Sequence, residues 1–294
     1  MDLLVHGGAG SAPEDPDVRQ STLGEAAAVG RDCGTPTEAV AAAVRHLESA
    51  PRFNAGVGGA VQSDGRIRTD AGLMTSDGQA GAAGGMPGVE HAIDVAEAVR
   101  METPHVLVVG ERAIVFAESV GVETDCNLWT ERTRERWRAV DPPDGASTRE
   151  QVAWVRERFG GDHPRGDDPT DHDTVGAVAT DGQRLAAATS TGGRWFALAG
   201  RVGDVPQVGG GFYATERAAV STTGDGEEIA RFGLARRVAL AIEDGDRPQH
   251  AADRVLRGFD AETGGGAGVI AIRADGRTGR AYNTEAMQTS AASH

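Results

Sequence analysis

One peptide bond divides this chain. Residues 160–173, Gly160-Gly161-Asp162-His163-Pro164-Arg165-Gly166-Asp167-Asp168-Pro169-Thr170-Asp171-His172-Asp173, offer almost nothing to bury. The next residue, Thr174, opens the apolar run Val175-Gly176-Ala177-Val178-Ala179. A Gly-, Pro- and Asp-rich stretch cannot offset its ordering entropy by apolar burial, so it reads as a solvated, mobile link. Charge already crowds in from about Glu131, with Trp137 and Trp154 isolated within it. The fold must therefore be assembled from two stretches, one on each side of that link.

Each stretch supplies strands and helices. Leu3-Leu4-Val5 is a short buried strand that stops at Gly7-Gly8-Ala9-Gly10. A short helix is expected from Thr22 to Val29, favoured by Ala26, Ala27 and Ala28. A second helix begins with Thr35 as N-cap, Pro36 at N1 and Glu38 at N3, and runs to about Ser49. Strands are expected around Arg66 to Ala71 and Gly78 to Gly85, then a helix over Val89 to Arg100. Val106-Leu107-Val108-Val109 reads equally as strand or buried helix. Beyond the link come strands at 174–179 and 185–190, helices at Glu227 to Ile242 and His250 to Gly258, and strands at 268–272 and 279–282. Sheets with helices packed outside them would bury this order, although pattern alone leaves the topology open.

Composition narrows the chemistry. All 29 basic residues are Arg, and there is no Lys. This excludes a Walker-A lysine, a Schiff-base lysine and a Ser-x-x-Lys pair. The 44 acidic residues give a net charge of −15, which argues against nucleic-acid partners and anionic membrane surfaces. The acidic, Lys-free surface also fits adaptation to high salt, and equally a genome that favours Arg, Ala and Gly codons. The 42 Gly residues, about 14% against a usual ~7%, imply many tight turns. No apolar run approaches the ~20 residues of a membrane span. No signal peptide is visible, and Cys33 and Cys126 form no disulfide framework, so a cytoplasmic enzyme is expected.

A Thr hydroxyl is a weak nucleophile until a base lies within reach. If the bond before Thr174 were cut, the new α-amino group, with an unperturbed pKa of about 7.7–8.0, could take the hydroxyl proton. A Thr opening a strand is also simply a β-branched residue in its preferred place.

The ordered motifs raise the first reading. They begin with His6-Gly7-Gly8-Ala9-Gly10, Phe53-Asn54-Ala55-Gly56-Val57-Gly58 and Asp70-Ala71 followed by Met74. They continue with His172-Asp173-Thr174-Val175-Gly176, Thr189-Ser190-Thr191-Gly192-Gly193 and Gly200-Arg201-Val202-Gly203-Asp204. Ser221-Thr222-Thr223-Gly224-Asp225-Gly226-Glu227, Gly264-Gly265-Gly266-Ala267-Gly268 and Tyr282-Asn283-Thr284 complete the set. In this order, over nearly the whole chain, the sequence resembles the isoaspartyl peptidase/L-asparaginase family, the plant-type asparaginases among the N-terminal-nucleophile hydrolases.

The resemblance implies an α+β fold, a four-layer αββα sandwich. It implies one domain over 1–294, self-cleaved between Asp173 and Thr174 into an α chain of 1–173 and a β chain of 174–294, assembled as (αβ)2. It implies an amidohydrolase that releases L-aspartate from L-asparagine or β-aspartyl dipeptides without a catalytic cofactor. By the same resemblance Thr174 is the nucleophile and Thr191 its hydrogen-bonding neighbour. Thr223 and the Gly224 N–H form the oxyanion hole. Arg201 clamps the substrate carboxylate, Asp204 accepts its ammonium, and Asn54 lies beside the nucleophile. The carbonyls of Leu47, Glu48, Ala50, Phe53, Ala55 and Val57 correspond to a loop that wraps a structural sodium or potassium ion.

Three features depart from the family pattern. Asp173 replaces a common Gly and, with Thr223-Gly224-Asp225-Gly226, resembles the glycosylasparaginase branch, so a glycosylasparaginase-type amidase is an alternative. Thr75-Ser76 lengthens the loop after Met74 by two residues, and any Lys contact used in the family must be absent or made by Arg. From another class, the Asp and His residues at 162–173 could ligate a divalent metal in a metallohydrolase, or be merely a solvated acidic link.

Overall fold

A computed structural model describes residues 1–13, 15–141, 143, 145–159 and 174–293. The structure is mixed α/β. Its strands are β1 (Asp2–Gly10), β2 (Arg68–Thr75), β3 (Ala80–Pro87), β4 (Leu107–Val109), β5 (Val175–Thr180), β6 (Leu185–Thr191), β7 (Phe212–Ala214), β8 (Ala218–Gly224), β9 (Ala267–Arg273), β10 (Thr278–Tyr282) and β11 (Ala286–Ala292). Its helices are α1 (Pro16–Arg31), α2 (Pro36–Glu48), α3 (Ala92–Glu102), α4 (Glu111–Ser119), α5 (Glu131–Arg138), α6 (Thr148–Phe159), α7 (Gly226–Phe232), α8 (Leu234–Glu243) and α9 (Pro248–Thr263).

The strands form two sheets, ordered β11-β1-β5-β6-β2-β3-β4 and β10-β9-β8-β7. Thus β5, which follows Thr174, lies at the centre of the larger sheet between β1 and β6, antiparallel to both. Strands from both sides of the acidic stretch are hydrogen-bonded neighbours, so cutting the chain before Thr174 would leave the two pieces sharing one sheet.

Three apolar clusters pack the two sheets and their helices, and a fourth gathers Val61, Ile67, Leu128, Trp195 and Phe196. Leu23, Val40, Val44, Leu47 and Ile93 from α1–α3 pack against Leu73, Val175 and Ala177 of the larger sheet. Leu234, Val238, Leu256 and Phe259 from α8 and α9 cover Val220 and Val269 of the smaller one. A third cluster joins Leu4, Val178 and Leu185 to Phe212 and Ile270. The two sheets are close at Gly72, where an added Cβ would collide with the Phe212 ring. Among the described residues no helix is long and apolar enough to cross a membrane.

Thr35 caps α2 as expected, accepting the Glu38 N–H at 3.2 Å with Pro36 at N1. Several elements differ from expectation. The first helix is twice as long, because Pro16 at its first turn supplies a start that the Ala run does not mark. The helix expected at 227–242 breaks into α7 and α8 at Gly233, which adopts φ +69°. Val106–Val109 resolves as the edge strand β4, with Leu107 and Val109 exposed. Strands β7, β8 and β11 carry too little apolar alternation to announce themselves.

Within the charged stretch from Glu131, residues 131–138 and 148–159 are helical, as α5 and α6, and the tryptophans are not isolated. Trp137 stacks on Phe196 at 6.2 Å and Trp154 meets the same ring edge-on at 5.9 Å. Arg136 lies 4.2 Å over Trp195, and Arg158 4.7 Å over Phe196. Cation–π contacts of this kind let an Arg-rich helix pack where charge count alone argues for solvation. The link at 160–173, with Asp173 and the Asp/His cluster, lies outside the described residues.

Candidate active site

Thr174 is buried, 7% exposed, at the mouth of β5. Its Oγ1 donates to Thr191 Oγ1 at 3.2 Å. The register places this pair: Val175 faces Ser190 across β5 and β6, so the residues at the two strand ends meet. Thr191 Oγ1 is fixed in turn by the Gly193 N–H at 3.0 Å and the Asn54 carbonyl at 3.4 Å. The Asn54 side chain accepts from Ala60 N–H at 2.7 Å and donates to Gly193 C=O at 2.6 Å. It therefore knits the Gly-rich turn at 54–60 to the segment after β6 and holds Thr191 through its backbone.

Side chains alternate along a strand, so Thr189 and Thr191 share a face of β6, as do Ser221 and Thr223 on β8. These two faces meet. Thr189 Oγ1 lies 2.8 Å from Ser221 Oγ, and Ser221 Oγ 2.8 Å from His6 Nε2. The Gly8 N–H points at His6 Nδ1 at 3.4 Å, which assigns the ring proton to Nε2. His6 then donates to Ser221, Ser221 to Thr189, and Thr189 to the Gly211 carbonyl at 2.9 Å. Burial drives the His6 pKa down to about 3, against a hydrogen bond to the Thr174 backbone that raises it. Gly176, paired with both His6 and Thr189, must lack a side chain, since a Cβ would strike Ser221 Oγ and His6 Nε2.

Thr223, the penultimate residue of β8, is fully buried, and its Oγ1 accepts from the Ala9 N–H at 3.4 Å. Gly224 follows at φ +136°, where a Cβ would collide with the Gly266 carbonyl, so only glycine serves. The structure has strand through Gly224, then α7, with Asp225 Oδ2 accepting the Gly266 N–H at 2.9 Å rather than capping the helix.

Arg201 and Asp204 belong to the loop after β6. Arg201 makes a two-pronged pair with Glu227 of α7, at 2.9 and 2.8 Å. Burial pushes the Glu227 pKa up, but the bonds from Arg201 outweigh it and hold it below its ordinary value. A Cβ at Gly226 would lie 2.6 Å from Asp204 Oδ1 and 2.7 Å from Arg201 Nη2, so guanidinium and carboxylate converge on that bare backbone. Asp70 of β2 belongs to the same neighbourhood. Its pKa is pushed up to about 7 by burial, with Arg201 opposing and Asp204 reinforcing.

The candidate cation loop follows α2. Gly56 and Gly58, at φ +57° and +86°, fold it back so that Val57 N–H reaches the Glu48 carbonyl at 2.8 Å. Ala50 N–H and Phe53 N–H bond the carbonyls of Leu47 and Ala50 at 3.1 and 3.2 Å. The carbonyls of Leu47, Glu48 and Ala50 thus already accept backbone hydrogen bonds and each keeps a second lone pair, at the negative end of α2. The buried Glu48 carboxylate is engaged elsewhere, by Ser190 Oγ at 2.5 Å and Ile93 N–H at 3.1 Å.

Sequence reading gave no role to His6, Asp70, Thr189 or Ser221. His6 and Asp70 stood in the quoted motifs, and their signal is a charged or titratable residue inside an otherwise apolar strand run. Thr189 and Ser221 leave no mark beyond strand-type β-branched and small residues.

The asparaginase family matches residues 1–294. The plant-type L-asparaginase of Thermococcus kodakarensis is 35% identical over 299 residues, covering 97% of this chain and 94% of that protein. The plant-type L-asparaginase of Pyrobaculum calidifontis is 37% identical over 300 residues, covering 97% and 94%. The isoaspartyl peptidase/L-asparaginase of Danio rerio is 34% identical over 303 residues, covering 99% and 91%. The chain belongs to the asparaginase family.

Proposed function

We propose that this chain is a self-processing threonine amidohydrolase with a four-layer αββα fold that cleaves the side-chain amide of L-asparagine and of β-aspartyl dipeptides, releasing L-aspartate. The observation that carries the reading is a buried Thr174 at the mouth of the central strand, its hydroxyl bonded to a second threonine. Family membership favours this threonine chemistry over a divalent-metal hydrolase built on 162–173.

In maturation, Thr174 Oγ attacks the Asp173 carbonyl carbon. The C–N bond breaks as the C–O ester forms, and the proton lost by oxygen goes to nitrogen. Water then hydrolyses the ester, leaving the Asp173 carboxylate and a free Thr174 amine, and so the chains 1–173 and 174–294. In turnover, that amine takes the hydroxyl proton while Oγ attacks the substrate's side-chain carbonyl. Thr191 aligns the hydroxyl. The Thr223 hydroxyl and Gly224 N–H receive the developing oxyanion. The amine proton passes to the leaving nitrogen, and water discharges the acyl-enzyme.

Arg201 takes the substrate α-carboxylate and Asp204 its α-ammonium. Glu227 takes the Nε and Nη2 fork of Arg201 and orients the guanidinium, which leaves Nη1 to meet the substrate carboxylate. Leu47, Glu48, Ala50, Phe53, Ala55 and Val57 would hold an alkali cation through their carbonyls. The ion would stiffen the turn that carries Asn54. Two αβ units would assemble, and the free thiols Cys33 and Cys126 suit a reducing cytoplasm.

The test is direct. Denaturing electrophoresis of the purified protein is expected to give two fragments that map to 1–173 and 174–294. An aspartate-release assay then compares L-asparagine, β-Asp-Leu and a glycosylated asparagine. Turnover of the first two supports the reading. Turnover of the third alone, consistent with Asp173 and Thr223-Gly224-Asp225-Gly226, would assign a glycosylasparaginase-type amidase instead. An intact chain that loses activity to a chelator would restore the metal reading.

The net charge of −15 leads to a further expectation. Carboxylate self-repulsion is screened by salt, with a Debye length of ~3 Å at 1 M. Activity should persist in molar KCl and fade on dialysis to low salt. The opposite profile would remove the salt-adapted reading and leave the chemistry untouched.

A further inference from the structure

Asp70 has no part in the proposed reaction, yet the fold is built around its carboxylate. It lies at an irregularity in the β2–β3 ladder: Thr69 pairs with Met86 and Ala71 with Ala83, so Gly84 and Gly85 together oppose Asp70. Such a bulge re-aims a side chain and frees a backbone donor. The freed donor is the Gly85 N–H, at φ +67°, which bonds Asp70 Oδ1 at 2.7 Å. A Cβ at Gly84 would lie 3.0 Å from Asp70 Oδ1 and 3.4 Å from Val202 Cγ1, so the carboxylate is pressed against the loop after β6. From that loop the Gly203 N–H also faces it and favours its charged form. Gly203 stands between Arg201 and Asp204, and a Cβ there would lie 2.7 Å from Arg201 Nη1. On its other side Asp70 pairs across β2 and β6 with Thr191.

We propose that Asp70 is a positioning residue for the substrate clamp: from the bulge it ties the Gly203 backbone to the sheet and thereby sets Arg201 and Asp204 at a fixed spacing from Thr191. The inference rests on reading Arg201 and Asp204 as the clamp for an α-amino-acid head group. Only the ionised carboxylate offers acceptors to both amides without a competing O–H. The charged groups facing it are Arg201 and Asp204, and Glu227 of α7 reaches it through Arg201. β3 and β6 face it with Gly84, Gly85 and Thr191, which do not titrate in this range. The nearest charges of α3 pair elsewhere, Asp94 with Arg45 and Glu97 with Arg100. Burial holds the Asp70 pKa at about 7, so the acceptor pair is complete above that pH and lost below it.

The test is calorimetric titration of the mature enzyme with L-aspartate at pH 5.5 and 8.0, for the wild type and Asp70→Asn. The variant is expected to bind at least tenfold more weakly at pH 8.0 and within about threefold of wild type at pH 5.5. Its KM for L-asparagine rises at pH 8.0 while kcat changes less than threefold, since Asp70 touches no reacting atom. A ratio of affinities that does not change with pH overturns the proposal. A second measurement needs no variant. In enzyme labelled with 13C at aspartate side-chain carboxyls, the resonance titrating near 7 should move to lower pH when L-aspartate binds, because linkage is reciprocal. An unmoved midpoint also overturns it. Arg201→Leu separates the two readings. If it binds L-aspartate like wild type, the clamp itself is wrong; if it abolishes binding while Asp70→Asn behaves as wild type, the clamp stands and this inference falls.

Discussion

Replacing Thr174 by Ala is expected to leave one uncut chain that releases no aspartate above background. Both consequences have one cause. The hydroxyl is the nucleophile for its own upstream bond and then for the substrate, so its loss blocks maturation and turnover together. Removing the nucleophile of a unit of this type costs on the order of 10⁶ in kcat. Thr174→Ser keeps a hydroxyl that can reach Thr191 and is expected to mature and to retain measurable turnover. Thr191→Val removes the acceptor 3.2 Å from that hydroxyl but leaves the nucleophile, so a smaller loss of about 10²-fold is expected. Gel electrophoresis and aspartate release read all three. A Thr174→Ala protein that still appears as two fragments, or still hydrolyses its amide, would end the nucleophile assignment.

Of the site, Thr174 alone is marked by its setting, an abrupt change of composition. Arg201, Asp204 and Thr191 stand out only through the resemblance of their motifs to the family pattern. What stayed hidden depends on pairing across the sheets. Residues 6, 189 and 221 become one hydrogen-bonded chain only because β1, β5 and β6 are neighbours in one sheet and β8 lies across from them. The Arg201–Glu227 pair spans 26 residues and needs the turn from β8 into α7. Asp70 gains its meaning from a bulge, which no periodicity announces. In the fold, apolar runs such as Val175–Ala179 declared their strands. β11, reading Ala-Met-Gln-Thr-Ser-Ala-Ala, is a strand because β1 offers it an open edge. The same tertiary override explains α5 and α6, whose charge concealed two tryptophans seated on Phe196.

The second large effect is on stability against pH, and it pits His6 against Asp70. Both are buried and both resist ionisation, but their signs are opposite. His6 has its pKa lowered from 6.5 to about 3, by burial first. Below pH 6.5 the unfolded chain takes up a proton that the folded chain refuses. The stability tied to a neutral His6 is therefore complete above 6.5 and is lost progressively down to about pH 3. The full shift is worth about 5 kcal/mol, of which about 2 kcal/mol is lost by pH 5. Asp70 has its pKa raised from 3.8 to about 7, again by burial first. Above 3.8 the unfolded chain releases a proton that the folded chain keeps, so stability tied to a neutral Asp70 falls as pH rises to about 7, by about 4 kcal/mol. Between pH 4 and 6.5 the two slopes largely cancel, and removing either group should expose the other. Urea unfolding in the uncut Thr174→Ala background, at one fixed protein concentration, avoids separation of the two fragments. Against that parent, His6→Gln is expected to gain about 2 kcal/mol in relative stability as the pH is lowered from 7 to 5. Gln at position 6 can still meet Ser221 but binds no proton. Asp70→Asn is expected to move the other way, losing its relative advantage over the same interval. Difference curves that are flat from pH 7 to 5 for both variants would mean that neither group is held in the neutral form by the fold, and would remove the protonation-state basis for the hydrogen-bond chain beneath Thr174.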